Sequence, residues 1–308
     1  MTAPHERTQG FARNEDQELL LRRLNGALNA AEEALELPEE PDRPLLLIVG
    51  APRSGTTLLL QWLAASGHFG YPSNLIARFY GAPAIGAHIQ QLLFDPALDY
   101  RGELSLSADT SPWSSNYGKT RGALQPHEFF YYWRRFFPVE HGSKLTDEQL
   151  SHSDPAGFAA GWAHLEAILG KPLAFKALLL QYDIELLAEW LPTAIFVHLH
   201  RDEMQNAESL LGARRAVHGN DTRWFSVRPP GYEALLTLGP MDQVLGQVRL
   251  TNAAITRSLA ALPPERSLTV SYASFCDDPT KVWQRLQNTL SAAGERLPPY
   301  DGPPAFPR

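Results

Sequence analysis

The sequence has little of three things that would point to particular classes of protein. Its single cysteine, Cys276, excludes an intramolecular disulfide and is typical of a reducing compartment. No apolar run approaches the roughly 20 residues of a membrane helix, and the polar N-terminus lacks a signal-peptide core. Basic residues number 27 against 34 acidic ones and are scattered, so nothing predicts nucleic-acid binding. We therefore expect a soluble, cytoplasmic protein without membrane or nucleic-acid partners.

Apolar runs of strand length alternate with stretches of helical periodicity. The chain has 308 residues, enough for a substantial core. The expected strands are 45–49, 172–178, 194–200 and 267–272. The expected helices are 16–37, 58–65, segments of 74–93 around Pro83, 126–137, 158–169, 183–190, 203–215, 241–262 and 279–293. This order predicts an α/β fold with a central parallel sheet flanked by helices.

One stretch combines a buried strand, a loop of small residues and a helix start. Residues 45–49 are all apolar, and a loop, 50–55, separates them from Thr56 and Thr57. In this layout loop amides and a helix N-terminus converge on an anion. The spacing is that of a P-loop, except that Thr56 stands where an NTPase carries lysine. The loop therefore predicts phosphate binding and argues against cleavage of ATP or GTP.

This loop resembles the 5'-phosphosulfate loop of the sulfotransferase superfamily. The resemblance extends over roughly residues 44–290 and implies 3'-phosphoadenylyl sulfate (PAPS) as donor, 3'-phosphoadenosine 5'-phosphate (PAP) as product and no required metal. We expect a P-loop-like sulfotransferase domain at 44–308, after a tail and an amphipathic helix at 1–43. The donor-binding residues that it implies in the loop are Pro52, Arg53, Ser54, Gly55, Thr56 and Thr57.

A second motif lies where the strand at 194–200 ends. The carboxyl ends of parallel strands face the ligand crevice, so we expect Arg201 to face the loop. Arg201 is followed eight residues later by Ser209. In sulfotransferases an arginine and a serine at this spacing bind the 3'-phosphate of the donor, so the resemblance implies that role for these two residues. His198 and His200 share a strand face without a third ligand nearby. We expect buried, hydrogen-bonded histidines there and no metal site.

The catalytic residues are predicted less directly. Lys176 matches a lysine that the family often carries near the sulfuryl group, where its charge stabilises the leaving phosphate. Leu178 stands where cytosolic members have a histidine base, and residues 71–74 contain no carboxylate. His127 and Glu128 resemble a segment of bacterial sulfotransferases, including domains of polyketide synthases. We expect them in the first turn of a helix, one as base and the other orienting the acceptor; which is which stays open.

The acceptor pocket is expected in the irregular stretches. Residues 94–126 lack periodicity, and we place part of the pocket there, including 111–115, with a lid as a further possibility. Trp224 is expected to stack on adenine or to close over the acceptor, with core packing as the alternative. The aromatic character of these segments favours a small, fairly apolar acceptor, such as a polyketide or an aromatic alcohol. An acyl chain bound to a carrier protein follows from the resemblance alone.

Three alternatives to a PAPS-dependent sulfotransferase stay open on the sequence. A small-molecule kinase would use the same loop but needs the lysine that Thr56 replaces. A non-catalytic nucleotide-binding module would keep Arg53 and Arg201 without a working base. The N-terminal helix is expected to pack on the core; as the third alternative, it docks a carrier protein or a second subunit.

Overall fold

Four parallel strands form the central sheet. The computed structural model describes residues 7–99, 101–104, 106, 113, 115–139 and 141–307. The sheet order is β4–β1–β5–β6, with β1 (Leu45–Val49) and β5 (Ala194–His200) in the middle. The edge strands are β4 (Leu173–Lys176) and β6 (Ser267–Ser271). The predicted α/β fold with a central parallel sheet flanked by helices is confirmed.

The helices of the described residues follow the predicted order. Short 3-10 turns occur at Gln9–Phe11, Ile76–Phe79 and Pro264–Arg266. The α-helices are α1 (Glu15–Glu33), α2 (Thr56–Ala65), α3 (Pro83–Phe94), α4 (Phe130–Phe136), α5 (Asp147–Ser151), α6 (Pro155–Leu169), α7 (Ile184–Trp190), α8 (Glu203–His218), α9 (Tyr232–Leu235), α10 (Pro240–Ala260), α11 (Tyr272–Asp277) and α12 (Pro279–Ala292). None of them combines the length and apolar character that crossing a membrane requires.

The sheet is covered on both faces, which explains why its central strands are apolar throughout. Successive residues of β1 alternate between two hydrophobic clusters. Leu45, Leu47 and Val49 pack with side chains of α4, α6, α7 and α10. Leu46 and Ile48 pack with side chains of α2, α12 and the C-terminal segment. The strand ends are therefore held rigidly in the middle of the molecule.

The prediction for the start of α4 is wrong. The helix was expected from residue 126, with His127 and Glu128 in its first turn, but it begins at Phe130. Phe129 has a left-handed backbone, with φ 56°, which a continuing helix does not allow. His127 and Glu128 consequently lie in the segment before the helix.

A short hairpin interrupts the stretch that was expected to be irregular. Strands β2 (Ser115–Asn116) and β3 (Lys119–Thr120) are antiparallel and joined by two residues. Tyr117 and Gly118 both have positive φ, 49° and 90°, as a tight two-residue hairpin turn requires. Of the expected pocket segment 111–115, residues 111, 112 and 114 lie outside the described residues.

Helix α1 packs on the core through buried polar contacts. Asn25 Nδ2 donates to the carbonyl of Arg78 at 2.9 Å. The Glu32 carboxylate accepts from the amides of Ala84 and Ile85, at 2.7 and 3.0 Å, at the N-terminus of α3. A carboxylate is favourable there because the first amides of a helix lack partners within it. These contacts fix the residues before α1 beside the site described next.

Candidate active site

The loop between β1 and α2, residues 50–55, is held from three sides. The amide of Gly50 donates to Gln181 Oε1 at 3.2 Å, and Asn206 Nδ2 donates to the carbonyl of Pro52 at 3.0 Å. Gly55 has φ 103°, and a Cβ on it would lie 2.4 Å from Cδ2 of Tyr272. These contacts hold the loop in place. The first amides of α2, which have no partners within the helix, lie at the cavity that the loop lines.

Two arginines meet above this loop. Arg53 Nε donates to Ser209 Oγ at 3.4 Å, and its guanidinium lies 5.1 Å from the Tyr117 ring. Arg201 stacks on the Tyr272 ring at 4.7 Å, and its buried Nε has no hydrogen-bond partner among the described residues. Burial lowers the pKa of Arg53, and the charge of Arg201 lowers it further. Two crowded guanidinium groups at the ends of β1 and β5 suit a bound anion.

Lys176 connects the loop to a carboxylate. It is the last residue of β4, and its side chain is only 3 % exposed. Its Nζ donates to Thr57 Oγ1 at 3.0 Å and forms an ion pair with Glu128 Oε1. The Glu128 side chain is 25 % exposed and lines the cavity. One buried cation thus touches both the start of α2 and a candidate base.

His127 lines the same cavity, and one of its two ring nitrogens already forms a hydrogen bond. Its Nδ1 accepts from the amide of Phe129 at 2.9 Å, and its own amide donates to the carbonyl of Pro72 at 2.8 Å. In the neutral ring this hydrogen bond places the proton on Nε2. Burial lowers the pKa of His127, while Glu128 partly opposes the change. The ring is therefore a neutral donor through Nε2 at pH 7.

The cavity around these groups has a volume of about 680 Å³. On one side, here called the donor side, are residues 52–57, Lys176 and Arg201. The acceptor side is formed by residues 7, 11–14, 17, 18, 21, 77 and 78, the β2–β3 hairpin, residues 126–128, 130, 131 and 134, and residues 178, 217 and 225–227.

Residues 7–14, here called the N-terminal segment, run from α8 to the hairpin. The amide of Thr8 donates to the carbonyl of Val217 at 2.8 Å. The Phe11 ring meets Tyr117 edge-on at 6.0 Å, and Lys119 Nζ lies 5.2 Å from the Phe11 ring. The N-terminal segment and the hairpin therefore form one continuous wall of the acceptor side.

Most of the predicted site residues come together in this cavity. Its lining includes Pro52, Arg53, Gly55, Thr56, Thr57, His127, Glu128, Lys176 and Arg201. Ser54 is buried in the loop, and Ser209 contacts Arg53.

Trp224 is not brought to the cavity. Its Nε1 donates to the carbonyl of Val227 at 3.2 Å, and its ring lies 4.5 Å from Tyr232. His198 is buried and its Nε2 lies 3.3 Å from Asn252 Oδ1; burial lowers its pKa to about 4. Neither His198 nor Trp224 lines the cavity.

Sequence reasoning missed the residues that cover the site. Phe11, Tyr117 and Lys119 lie in segments without periodicity, and only Gly118, suited to a tight turn, hinted at the hairpin. Tyr272 could have been found, because it directly follows β6 at the carboxyl edge of the sheet, beside Arg201.

Comparisons with known proteins agree with this geometry. A model of the sulfotransferase family matches residues 44–293. Sulfotransferase STF9 of Mycobacterium avium is 18 % identical with a TM-score of 0.55, over 96 % of this chain and 76 % of that one. Sulfotransferase STF1 of Mycobacterium tuberculosis is 15 % identical with a TM-score of 0.51, over 89 % and 74 %.

A sulfotransferase domain from the olefin synthase of Synechococcus PCC 7002 also resembles the chain, with 18 % identity, a TM-score of 0.42 and coverage of 86 % and 79 %. No curated protein matches the sequence. The two mycobacterial structures share the fold, and the family model spans most of the chain. The chain therefore belongs to the sulfotransferase family and is a sulfotransferase enzyme.

Proposed function

We propose that this enzyme transfers a sulfuryl group from PAPS to a hydroxyl of a small acceptor that has an apolar part, and releases PAP in the cytoplasm. The observation that carries the proposal is the position of Lys176. Its Nζ contacts Thr57 at 3.0 Å and pairs with Glu128, so the donor loop, a buried cation and a carboxylate meet at one point. In-line transfer needs these three groups together.

In this proposal the donor spans the two motifs. The 5'-phosphosulfate rests on the amides of residues 52–57, where a helix N-terminus favours negative charge. The 3'-phosphate accepts from Arg201, whose buried Nε lacks another partner among the described residues, and from Ser209. Arg53 and Lys176 supply the positive charge for the leaving phosphate, so the proposed step requires no metal ion.

Glu128 is assigned as the base. Lys176 holds its Oε1, which leaves Oε2 to accept the proton of the acceptor hydroxyl. The acceptor oxygen then forms a bond to sulfur while the bond from sulfur to the 5'-phosphate oxygen breaks. Once the proton neutralises Glu128, Lys176 is released to stabilise the departing phosphate.

His127 is assigned the orienting role that the sequence left open. Its Nδ1 lone pair is used by the amide of Phe129, so Nε2 carries a hydrogen and cannot accept the acceptor's proton. A neutral Nε2–H can instead donate to the acceptor oxygen and align one of its lone pairs with sulfur. In this proposal Glu128 is the base and His127 orients the acceptor.

Thermal unfolding with PAP, beside magnesium ATP, tests the donor assignment. A ligand at about a hundred times its dissociation constant adds about 2.7 kcal/mol to the free energy of unfolding. We expect PAP to raise the midpoint by several degrees and ATP to have no comparable effect. Stabilisation by ATP alone would contradict the proposal and favour a kinase.

Matched variants make this test specific. Arg201→Ala should abolish the PAP shift. Arg215→Ala is the control, because Arg215 lies on α8, the helix that follows Arg201, but pairs with Asp221 on the surface at 3.2 Å. Transfer of ³⁵S from labelled PAPS to a panel of alcohols and phenols then identifies the acceptor. Equal loss of the PAP shift in both variants would remove Arg201 from the donor site.

A further inference from the structure

The wall of the cavity is basic, although the whole chain is acidic. The chain carries a net charge of −7. The cavity, however, is lined by eight arginines and lysines and by two carboxylates, Glu18 and Glu128. Three of the cations, Arg53, Lys176 and Arg201, belong to the donor side. The five others lie on the acceptor side: Arg7, Arg13, Arg78, Lys119 and Arg134.

These acceptor-side cations are crowded together. Lys119 lies over the Phe11 ring, so the hairpin cation is packed against the N-terminal segment. Burial lowers the pKa of Lys119, and the charges of Arg7 and Arg13 lower it further, while Glu128 opposes them. Arg78 and Lys119 line the same cavity as His127, and their charges lower its pKa in addition to burial.

Internal counterions do not account for this arrangement. Among the described residues, no carboxylate forms an ion pair within 4.0 Å of Arg13, Arg78 or Lys119. Arg78 faces the neutral amide of Gln17. The carboxylate of Glu18 accepts from Tyr131, and that of Glu128 is held by Lys176. Positive charge concentrated at a cavity mouth without such partners attracts an anion.

The remaining lining of the acceptor side combines polar and apolar side chains. The apolar ones include Phe11, Leu21, Ala77, Phe130, Leu178, Val217 and Val227. A ligand that fits both features has a hydrophobic portion and a negatively charged group.

We propose that the acceptor is an amphipathic alcohol with an anionic group, a carboxylate or a phosphate, which binds Arg13, Arg78 and Lys119 while the hydroxyl reaches Glu128. This inference rests on the proposed function, because it assigns the hydroxyl to the Glu128 position. It sharpens the sequence expectation of a fairly apolar acceptor by adding a charge. A neutral alcohol would use the apolar lining but gain nothing from the three cations.

Titration calorimetry of the PAP-saturated enzyme tests the inference with three eight-carbon probes: octyl phosphate, octanoate and 1-octanol. PAP occupies the donor side, so the probes report on the acceptor side. At least one anionic probe should bind with a dissociation constant about tenfold lower than that of 1-octanol, which corresponds to about 1.4 kcal/mol. The order of octyl phosphate and octanoate then distinguishes a phosphate from a carboxylate.

Two double variants with the same change in net charge complete the test. Arg13→Gln with Lys119→Gln should reduce the advantage of the anionic probe to about twofold or less. The control, Arg215→Gln with Lys281→Gln, removes two exposed charges that do not line the cavity and should keep the advantage. PAP binding by each variant verifies that it is folded.

Each outcome separates the two levels of the proposal. Absence of PAP binding by the unaltered enzyme would refute the donor assignment itself. Normal PAP binding without any preference for the anionic probes would overturn only this inference. A preference that survives Arg13→Gln with Lys119→Gln, or that both double variants lose equally, would overturn it as well, since the charge would then act elsewhere or at long range.

Discussion

The donor side and the acceptor side of the cavity are built in different ways. The donor side is made of strand ends and one short loop, because β1, β4 and β5 deliver the loop 50–55, Lys176 and Arg201 to one edge of the sheet. The acceptor side is assembled from the N-terminal segment, the hairpin and the residues before α4, which are far apart in the chain. The first is fixed by the sheet and the second by contacts between loops.

This difference has a physical consequence. A strand end buried on both faces cannot move without disturbing the core, so donor geometry is protected by the stability of the whole fold. A wall built from ring contacts and a few hydrogen bonds can be altered locally. Substitutions on the donor side should therefore affect binding and stability together, while those on the acceptor side should affect activity with a smaller loss of stability.

The largest effect is expected where the two sides touch. Glu128→Gln keeps the shape of the side chain but removes the proposed base, so kcat should fall by about 10²- to 10⁴-fold, measured as ³⁵S transfer to the acceptor that the panel identifies. PAP affinity should change by less than about twofold, because Glu128 reaches the proposed nucleotide site only through Lys176. The control, His127→Gln, should lose less activity. A greater loss in His127→Gln would reverse the assigned roles.

A pair of glycines compares the stability of the two sides. Gly55→Ala places a Cβ 2.4 Å from Tyr272 at φ 103°, so we expect a loss of about 2–4 kcal/mol in the free energy of unfolding and of PAP binding. Gly118→Ala has a similar φ, 90°, but its nearest contact is 3.5 Å, so it should lose about 1 kcal/mol and keep PAP binding. Chemical denaturation checks both. Equal losses of unfolding free energy in the two variants would contradict the difference between the donor side and the acceptor side.

A smaller effect on activity is expected from a substitution in the wall that the N-terminal segment and the hairpin form. Phe11→Ala removes the contacts with Tyr117 and Lys119, so the KM for the acceptor should rise about three- to tenfold while PAP affinity stays constant. The free energy of unfolding should change by about 1 kcal/mol or less, since Phe11 is partly exposed. Leu20→Ala is the control, because Leu20 is 66 % exposed and lies outside the cavity.

The smallest expected effect is a dependence of the free energy of unfolding on pH. Burial holds the pKa of His127 below its usual 6.5, so the folded protein binds the proton more weakly than the unfolded chain. The stability that the neutral ring contributes is present above 6.5 and is lost as the pH falls through the folded pKa. Denaturation at about pH 7.5 and about pH 5 should show a larger acid loss in the unaltered protein than in His127→Gln. Identical losses would contradict the burial effect.

The sequence was informative where structure is local. The apolar run at 45–49 predicted β1, and the small residues after it predicted the loop that precedes α2, because a strand, a turn and a helix start are encoded by neighbouring residues. Arg201 was placed correctly at the cavity because strand ends obey a topological rule. The α4 boundary failed because the aromatic residues of 129–137 suit a helix, yet Phe129 takes a left-handed backbone next to the site.

What could not be predicted is the non-local part. Nothing in residues 7–14 indicates that they meet a hairpin more than 100 residues later, since that contact depends on the path of α1 over the core. The basic character of the acceptor side was hidden for the same reason. Its arginines and lysines are scattered along the sequence and become a cluster only in the folded chain.

The family match begins at residue 44, but the cavity wall begins at Arg7. The residues that match the family are thus separate in the sequence from the N-terminal segment, which helps to shape the cavity. Because the N-terminal segment contributes to the acceptor side alone, a change confined to this segment leaves the residues of the donor side as they are. In the proposed function, a chimera that exchanges only residues 7–14 therefore changes acceptor preference and keeps PAP binding.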